Sequence, residues 1–218
     1  MTHTFSIAQP EPIAVGGPAA RIINLRDGRS VALRVARSDD VSAVQRFVRG
    51  LSDRSRRNRF FAPVRELSPD QLERVTRSRP PGELALLGET TEAGGSRIVA
   101  MAQYAACEPL DVEFAVVVDD AWQRQGLGIQ LLGVLAEHAA RAGLATLAGF
   151  VLADNWPMLA LLARLDCELV TDPNPYVIRA LKRLDAHELG VLSSTAVSGA
   201  GSAASARRGS HRPVVEHG

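Results

Sequence analysis

Cysteine is scarce in this 218-residue chain: Cys107 and Cys167 are the only two, and they form neither a Cys-x-x-Cys pair nor a metal-ligand spacing. A disulfide framework and a zinc ribbon are therefore excluded, and a reduced, intracellular setting is expected. The five histidines are scattered and His138 has no second ligand one helical turn on, so no metal is expected. Long apolar runs are missing too. No stretch approaches the roughly 20 residues of a membrane span, and no basic segment followed by an apolar one opens the chain. The expected location is the cytoplasm, with no membrane partner. Lysine is almost absent, Lys182 being the only one, and Lys+Arg 25 against Asp+Glu 24 leaves a formal net charge of +1. That balance gives no reason to expect a nucleic-acid partner.

What is present is enough apolar material, 46%, for the core of one ordinary domain. Residues 1–20 carry Pro10, Pro12, Gly16, Gly17 and Pro18 without periodicity, and from Ala186 to 218 Ser, Ala, Gly and Arg dominate. A flexible arm, a domain over 21–185 and a disordered tail are expected. Within the domain, Asp27-Gly28 between Ile23–Leu25 and Val31–Val35 predicts a hairpin. Ser38 predicts a helix cap, with Asp39 and Asp40 at the positive end and Val41, Val44, Val48 and Leu51 on one face. A second helix begins near Ser52, and Ser68-Pro69-Asp70-Gln71 is a capping box for a third that Pro80-Pro81 ends. Leu84–Leu87 and Ile98–Tyr104 predict strands joined by a loop containing Gly94-Gly95. Leu144–Leu152 and Tyr176–Leu181 predict two more, and Asp154-Asn155 opens a helix to about Leu165.

The stretch Asp111–Ile129 organises the rest. Val112–Val118 reads as a buried strand, and Gln123-Arg124-Gln125-Gly126-Leu127-Gly128 follows as a glycine-bearing turn. Leu127, Leu131, Leu132, Leu135 and Ala139 then recur at helical spacing. Strand, turn and helix in this order aim free helix N–H groups at an anion, and a pyrophosphate is the expected one. At Gly126 and Gly128 a Cβ would obstruct the approach of phosphate. A dinucleotide fingerprint is excluded because the position of its third glycine holds Leu131, and a P-loop because no Gly-Lys-Ser/Thr follows.

A Gln-x-x-Gly-x-Gly turn between a valine-rich strand and an amphipathic helix resembles the acyl-CoA-binding signature of the GNAT superfamily of N-acetyltransferases. The run Leu51-Ser52, Arg59-Phe60-Phe61 and Leu67-Ser68, then Glu113-Phe114-Ala115-Val116 leading into Gln123, is similar to the bacterial Pat-type protein lysine acetyltransferases. The resemblance covers roughly residues 22–184. It implies an α/β GNAT fold, with a mixed central sheet flanked by helices, acetyl-CoA as co-substrate without a metal, and a protein lysine as acceptor. Known targets of that family include acyl-CoA synthetases. It also implies cofactor contacts at Val116, Val117 and Val118, at Arg124, Gln125, Gly126, Leu127, Gly128 and Ile129, and at Asn155 and Arg164.

Acyl transfer from a thioester needs little activation of the donor; the amine is the difficulty. A lysine with a pKa of about 10.4 is neutral in roughly one molecule per thousand at pH 7, so a base is required. Glu113 is the carboxylate in the apolar strand, and the resemblance makes it that base. Burial among Phe114, Ala115 and Val116 would raise its pKa toward neutrality. The alternative is a surface-facing residue or a partner for an arginine. For Asn155 the alternative is a helix cap, and for Arg164 a solvated face. Arg54, Arg56, Arg57 and Arg59 read as a solvated helix face, or as an electropositive rim. Leu162 stands where many GNAT enzymes carry a tyrosine acid, and Asp166-Cys167 replaces the usual Gly-Phe. Two other functions stay open at this point: acetylation of a small amine, and acyl-CoA sensing without catalysis.

Overall fold

The computed structural model describes residues 21–92, 95–107 and 111–184. The expected arm over 1–20, Gly94 and the tail over 186–218 lie outside them. Eight strands form one sheet in the order β1-β2-β3-β4-β5-β6-β8-β7. They are β1 (Arg21–Asn24), β2 (Ser30–Val35), β3 (Glu83–Glu92), β4 (Gly95–Ala106), β5 (Asp111–Val118), β6 (Thr146–Leu152), β7 (Glu168–Thr171) and β8 (Val177–Arg183). Five helices cover it: α1 (Val41–Gly50), α2 (Asp53–Phe60), α3 (Pro69–Thr76), α4 (Leu127–Arg141) and α5 (Trp156–Ala163). Every pairing is antiparallel except β5 with β6, the pair that α4 connects. A parallel pair cannot be closed by a hairpin, so a helix crossover is required there. This is the mixed α/β sheet that the resemblance implied.

Strand alternation separates two apolar layers. Val112, Phe114 and Val116 of β5 join Leu127, Leu131, Leu132 and Leu135 of α4 and Leu162 of α5 in one cluster. Val117 joins Val44, Phe47 and Val48 of α1 and Leu72 and Val75 of α3 in the other. Successive side chains of a strand point to opposite faces, so Glu113, Ala115 and Val117 share the face that carries α1, α2 and α3. Among the described residues no helix is long and apolar enough to cross a membrane.

Several local expectations need correction. Ser38 does not cap α1: Ser38–Asp40 is a separate 3-10 turn. The Asp40 carboxylate there accepts from the Arg37 N–H at 2.7 Å and from both Arg34 guanidinium nitrogens at 2.7 Å. Strands β3 and β4 extend well beyond the apolar cores expected for them, because their outer rungs pair through polar residues such as Thr90 with Arg97. The short β7 has no counterpart in the sequence reading, since all four of its residues are exposed and show no alternation. The capping box at Ser68 forms as expected, with Gln71 N–H to Ser68 Oγ at 3.3 Å and Ser68 N–H to Gln71 Oε1 at 2.8 Å.

Candidate active site

Strands β5 and β6 pair over three residues only, Asp111 with Thr146, Val112 with Leu147 and Glu113 with Ala148. Beyond that point they part, β5 keeping its pairs with β4 while β6 keeps its pairs with β8. The result is a wedge that opens toward the carboxyl ends of two parallel strands, a place where α/β sheets bind ligands. At the point of parting the Phe114 ring lies over Gly149, where a Cβ would sit 2.4 Å from Cε1, so glycine alone leaves room for it.

The open edge of β5 offers main-chain groups in a defined pattern. Asp119 N–H donates to Val99 O at 2.8 Å, and this sets the alternation of the ladder with β4. The polar groups of Val117 are directed to β4, whereas those of Val116 and Val118 are directed to the wedge. Of the three valines the resemblance names, Val116 and Val118 turn their main-chain groups to the wedge and Val117 turns its groups to β4. Val118 O already accepts from Gln123 Nε2 at 3.0 Å.

At the mouth of the wedge the turn Gln123–Gly126 leads into α4. Arg124 and Gly126 both have positive φ, 60° and 91°. Gly126 is the N-cap residue and no side chain caps the helix; the first intrahelical bond runs from Gln130 N–H to Gly126 O at 3.4 Å. The N–H groups of Leu127, Gly128 and Ile129 are thus left for a ligand. Gly128 has ordinary helical geometry, and its missing Cβ chiefly admits Leu161 of α5, whose Cδ1 would lie 3.0 Å away. The glycine that the backbone conformation demands is Gly126.

Asp120 holds this turn in place. Its carboxylate accepts from Ser52 N–H at 3.0 Å, Ser52 Oγ at 2.8 Å and Ser55 Oγ at 2.8 Å, while Gln123 Nε2 donates to Ser55 Oγ at 3.1 Å. The start of α2 is so tied to the turn. Burial pushes the Asp120 pKa up, but the hydrogen bonds from Ser52 and Ser55 outweigh it and hold the carboxyl below its ordinary value. A depressed pKa stabilises the fold above the unfolded value of about 3.9, and that contribution is lost as pH falls through the lower folded value. Asp120→Ala is therefore expected to cost about 1–2 kcal/mol at pH 7, modest because the site is partly open to water. The gap to the wild type should close below pH 4 in urea titrations. A gap of constant size from neutral pH down through that acid range would show that the charge is not what matters.

Glu113 marks the apex of the wedge, on the face that carries α2, and its side chain is exposed. The apolar burial expected for it is absent, because its neighbours Phe114 and Val116 point through the sheet to the other layer. Its charge acts on an arginine of α2. Arg59, one turn beyond Ser55 in α2, has its Nε buried with no hydrogen-bond partner, and its guanidinium lies 4.9 Å from the centre of the Phe60 ring. Burial lowers the Arg59 pKa to about 10, with the Glu113 charge acting in the opposite sense. Arg59 remains a cation at neutral pH, but not on the solvated face expected for this cluster. Its neighbours behave differently: Arg54 is exposed, Arg56 bonds Leu51 O and Asp53, and Arg57 reaches Asp154 at 2.9 Å across the wedge.

Asn155 occupies the N-cap position of α5 and is 8% exposed, yet its side chain makes no capping bond. The cap alternative is thereby set aside, and its amide lies at the far side of the mouth without a partner among the described residues. Arg164, just past α5, is exposed. Leu162 is 1% exposed in the core, so the position of the usual tyrosine acid does not face the site at all. Tyr104 donates to Pro81 O at 3.2 Å and is likewise committed.

Two features were invisible in the sequence because they depend on contacts between distant segments. Arg26, in the β1–β2 turn, donates its N–H to Gln125 O at 3.3 Å, and its Nε lies 3.9 Å from where a Gly126 Cβ would be. Arg29 stacks 3.8 Å over Trp122 and donates to Ala121 O at 3.0 Å, which braces the same turn from behind. Tyr176, 76% exposed, is the second, since its carbonyl accepts from Ala153 N–H at 2.9 Å and so brings it to the rim beside Asp154.

Residues 52–166 match the sequence model of the acetyltransferase (GNAT) family. The chain is 33% identical over 121 residues to acetyltransferase PA5475 of Pseudomonas aeruginosa, covering 55% of this chain and 65% of the length of that relative. The crystal structure of the GNAT domain of S. lividans PAT superposes with a TM-score of 0.69 at 27% identity, over 76% of this chain and 97% of that one. The structure of yncA from Salmonella typhimurium, which contains its cofactor acetyl-CoA, shares the fold, with a TM-score of 0.55 at 18% identity over 72% of this chain and 95% of that one.

Proposed function

Because the chain belongs to the acetyltransferase (GNAT) family, we propose that it transfers acetyl from acetyl-CoA to the side-chain amine of a protein lysine by direct attack, with Glu113 as general base. The observation that carries this reading is the wedge itself. A carboxylate stands at its apex and a ring of uncapped helix N–H groups stands at its mouth. The residues fit the co-substrate. Pyrophosphate matches the N–H groups of Leu127, Gly128 and Ile129, with Gly126 and Gln125 shaping the turn and the exposed cations Arg26, Arg124 and Arg164 near it. The pantetheine amides match the open-edge groups of Val116 and Val118, and Asn155 offers an unused amide. The bound thioester supplies an acyl carbon already activated toward attack.

The protein's own tasks are then to orient the amine and to take its proton. Glu113 is open to an incoming side chain and lies on the α2 face, opposite the layer that α4 closes. The position of the usual tyrosine holds the buried Leu162, and a CoA thiolate, close to a free thiol's pKa of about 8.5, can be protonated by water. The likeness to the S. lividans PAT domain supports a protein acceptor, and an acyl-CoA synthetase is the kind of partner the resemblance names. Incubating the pure chain with labelled acetyl-CoA and a lysate should label protein lysines, mapped by mass spectrometry. Label in small amines only, or acetyl-CoA binding without transfer, would replace this reading by a small-amine enzyme or a sensor.

A further inference from the structure

Among the arginines near the wedge, Arg59 is the one with a buried side-chain nitrogen that no group of the described residues satisfies. Its guanidinium makes no hydrogen bond or ion pair among the described residues, its Nε is sealed from water, and the Phe60 ring is its one close aromatic contact. A guanidinium whose Nε is buried without an acceptor leaves that donor unmatched, and an anion arriving from outside can match it. The CoA phosphates are not that anion. They belong at the α4 end of β5, and five residues of strand separate Glu113 from Val118, about 17 Å at the usual rise. Ser55 fastens α2 to Asp120 at the mouth, Arg59 follows one turn further along α2, and Glu113 is the charge that acts on it. Arg59 and Glu113 share one face of the sheet without pairing, so that face presents both a cation and an anion to an acceptor.

We propose that Arg59 binds a carboxylate that the acceptor carries beside its amine, so that the preferred target is a lysine with an acidic neighbour. The inference rests on the protein-lysine reading above. Opposite charges are then matched pairwise, the ammonium by Glu113 and the neighbouring carboxylate by Arg59, whose planar fork suits a two-point contact. An acceptor with a neutral neighbour leaves the Arg59 guanidinium without a carboxylate partner in the complex.

The test compares two peptides that differ only in Glu or Gln beside a single lysine, with the full chain and acetyl-CoA. A hydrogen-bonded charge pair corresponds to about tenfold or more in kcat/KM in favour of the Glu peptide, carried mainly by KM. In Arg59→Gln the ratio should fall to about one, and Arg59→Lys should keep part of it. If Arg59→Gln does not fold, the wild-type ratio and Arg59→Lys still decide. Equal rates on the two peptides would overturn the carboxylate site and leave the protein-lysine reading standing. An Arg59-dependent preference for succinyl-CoA over acetyl-CoA would put the carboxylate on the acyl group and overturn the acceptor assignment. Peptides left untouched while a free amino acid is acetylated in an Arg59-dependent way would overturn the protein-lysine reading and support the carboxylate site.

Discussion

Glu113→Gln is expected to lower turnover on a lysine acceptor by about 10² to 10⁴, the usual contribution of a positioned general base. The substitution preserves the size of the side chain and removes its basicity. Glu113 is exposed on β5 and makes no hydrogen bond or ion pair among the described residues, so the fold should not notice the change. Acetyl-CoA affinity should hardly move, since the phosphate turn lies at the other end of the strand. Raising the pH should partly restore the variant, because a lysine with a pKa of about 10.4 loses its proton unaided as the solution approaches that value. Steady-state rates from pH 7 to 9.5, with calorimetric binding of acetyl-CoA as the control, measure both effects. A variant that turns over like the wild type at pH 7 would remove Glu113 from the mechanism.

Gly126→Val is expected to have the second largest effect, on cofactor binding. Gly126 sits at φ 91° and a valine there is strained whatever space surrounds it. The turn must relax, at a cost of about 1–2 kcal/mol or more, and its relaxation moves the N–H groups of Leu127 and Gly128 that a pyrophosphate would use. A fall in acetyl-CoA affinity of tenfold or more is the expected reading by calorimetry, a factor of ten corresponding to about 1.4 kcal/mol. Gly128→Ala is the internal comparison. Its Cβ would meet only the end of the flexible Leu161 side chain, so a shift of a few tenths of an ångström accommodates it. Affinity unchanged in a folded Gly126→Val protein would mean that the phosphates bind somewhere other than this turn.

Much of the fold was legible in the order of residues because its signals are local. The β5 to α4 unit announced itself through a valine run, a glycine turn and a leucine stripe. The Ser68 box was readable because both of its partners lie within four residues. Where a boundary depended on pairing with a distant strand, the local signal failed. β7 has no apolar alternation of its own and exists because β8 pairs with it. The Ser38 cap was misplaced for a similar reason: Asp40 is drawn to Arg34 and Arg37, and Arg34 belongs to a strand.

The site divides along the same line. Which residue types are available for chemistry, a carboxylate in an apolar strand and glycines in a strand-to-helix turn, was settled by the sequence alone. A strand's period of two puts Glu113 and Phe114 on opposite layers, and the expected burial of Glu113 among Phe114, Ala115 and Val116 did not allow for it. The tertiary structure decided the rest. It parted β5 from β6 after Glu113, so that Val116 and Val118 but not Val117 face the opening. It left Glu113 in the open rather than in an apolar pocket, and it brought Arg59 within reach of its charge across more than fifty residues of chain. Local propensity acts over a few residues, whereas the placement of a charge depends on which distant surfaces pack together. A sequence can therefore name the reacting groups before it can say what surrounds them.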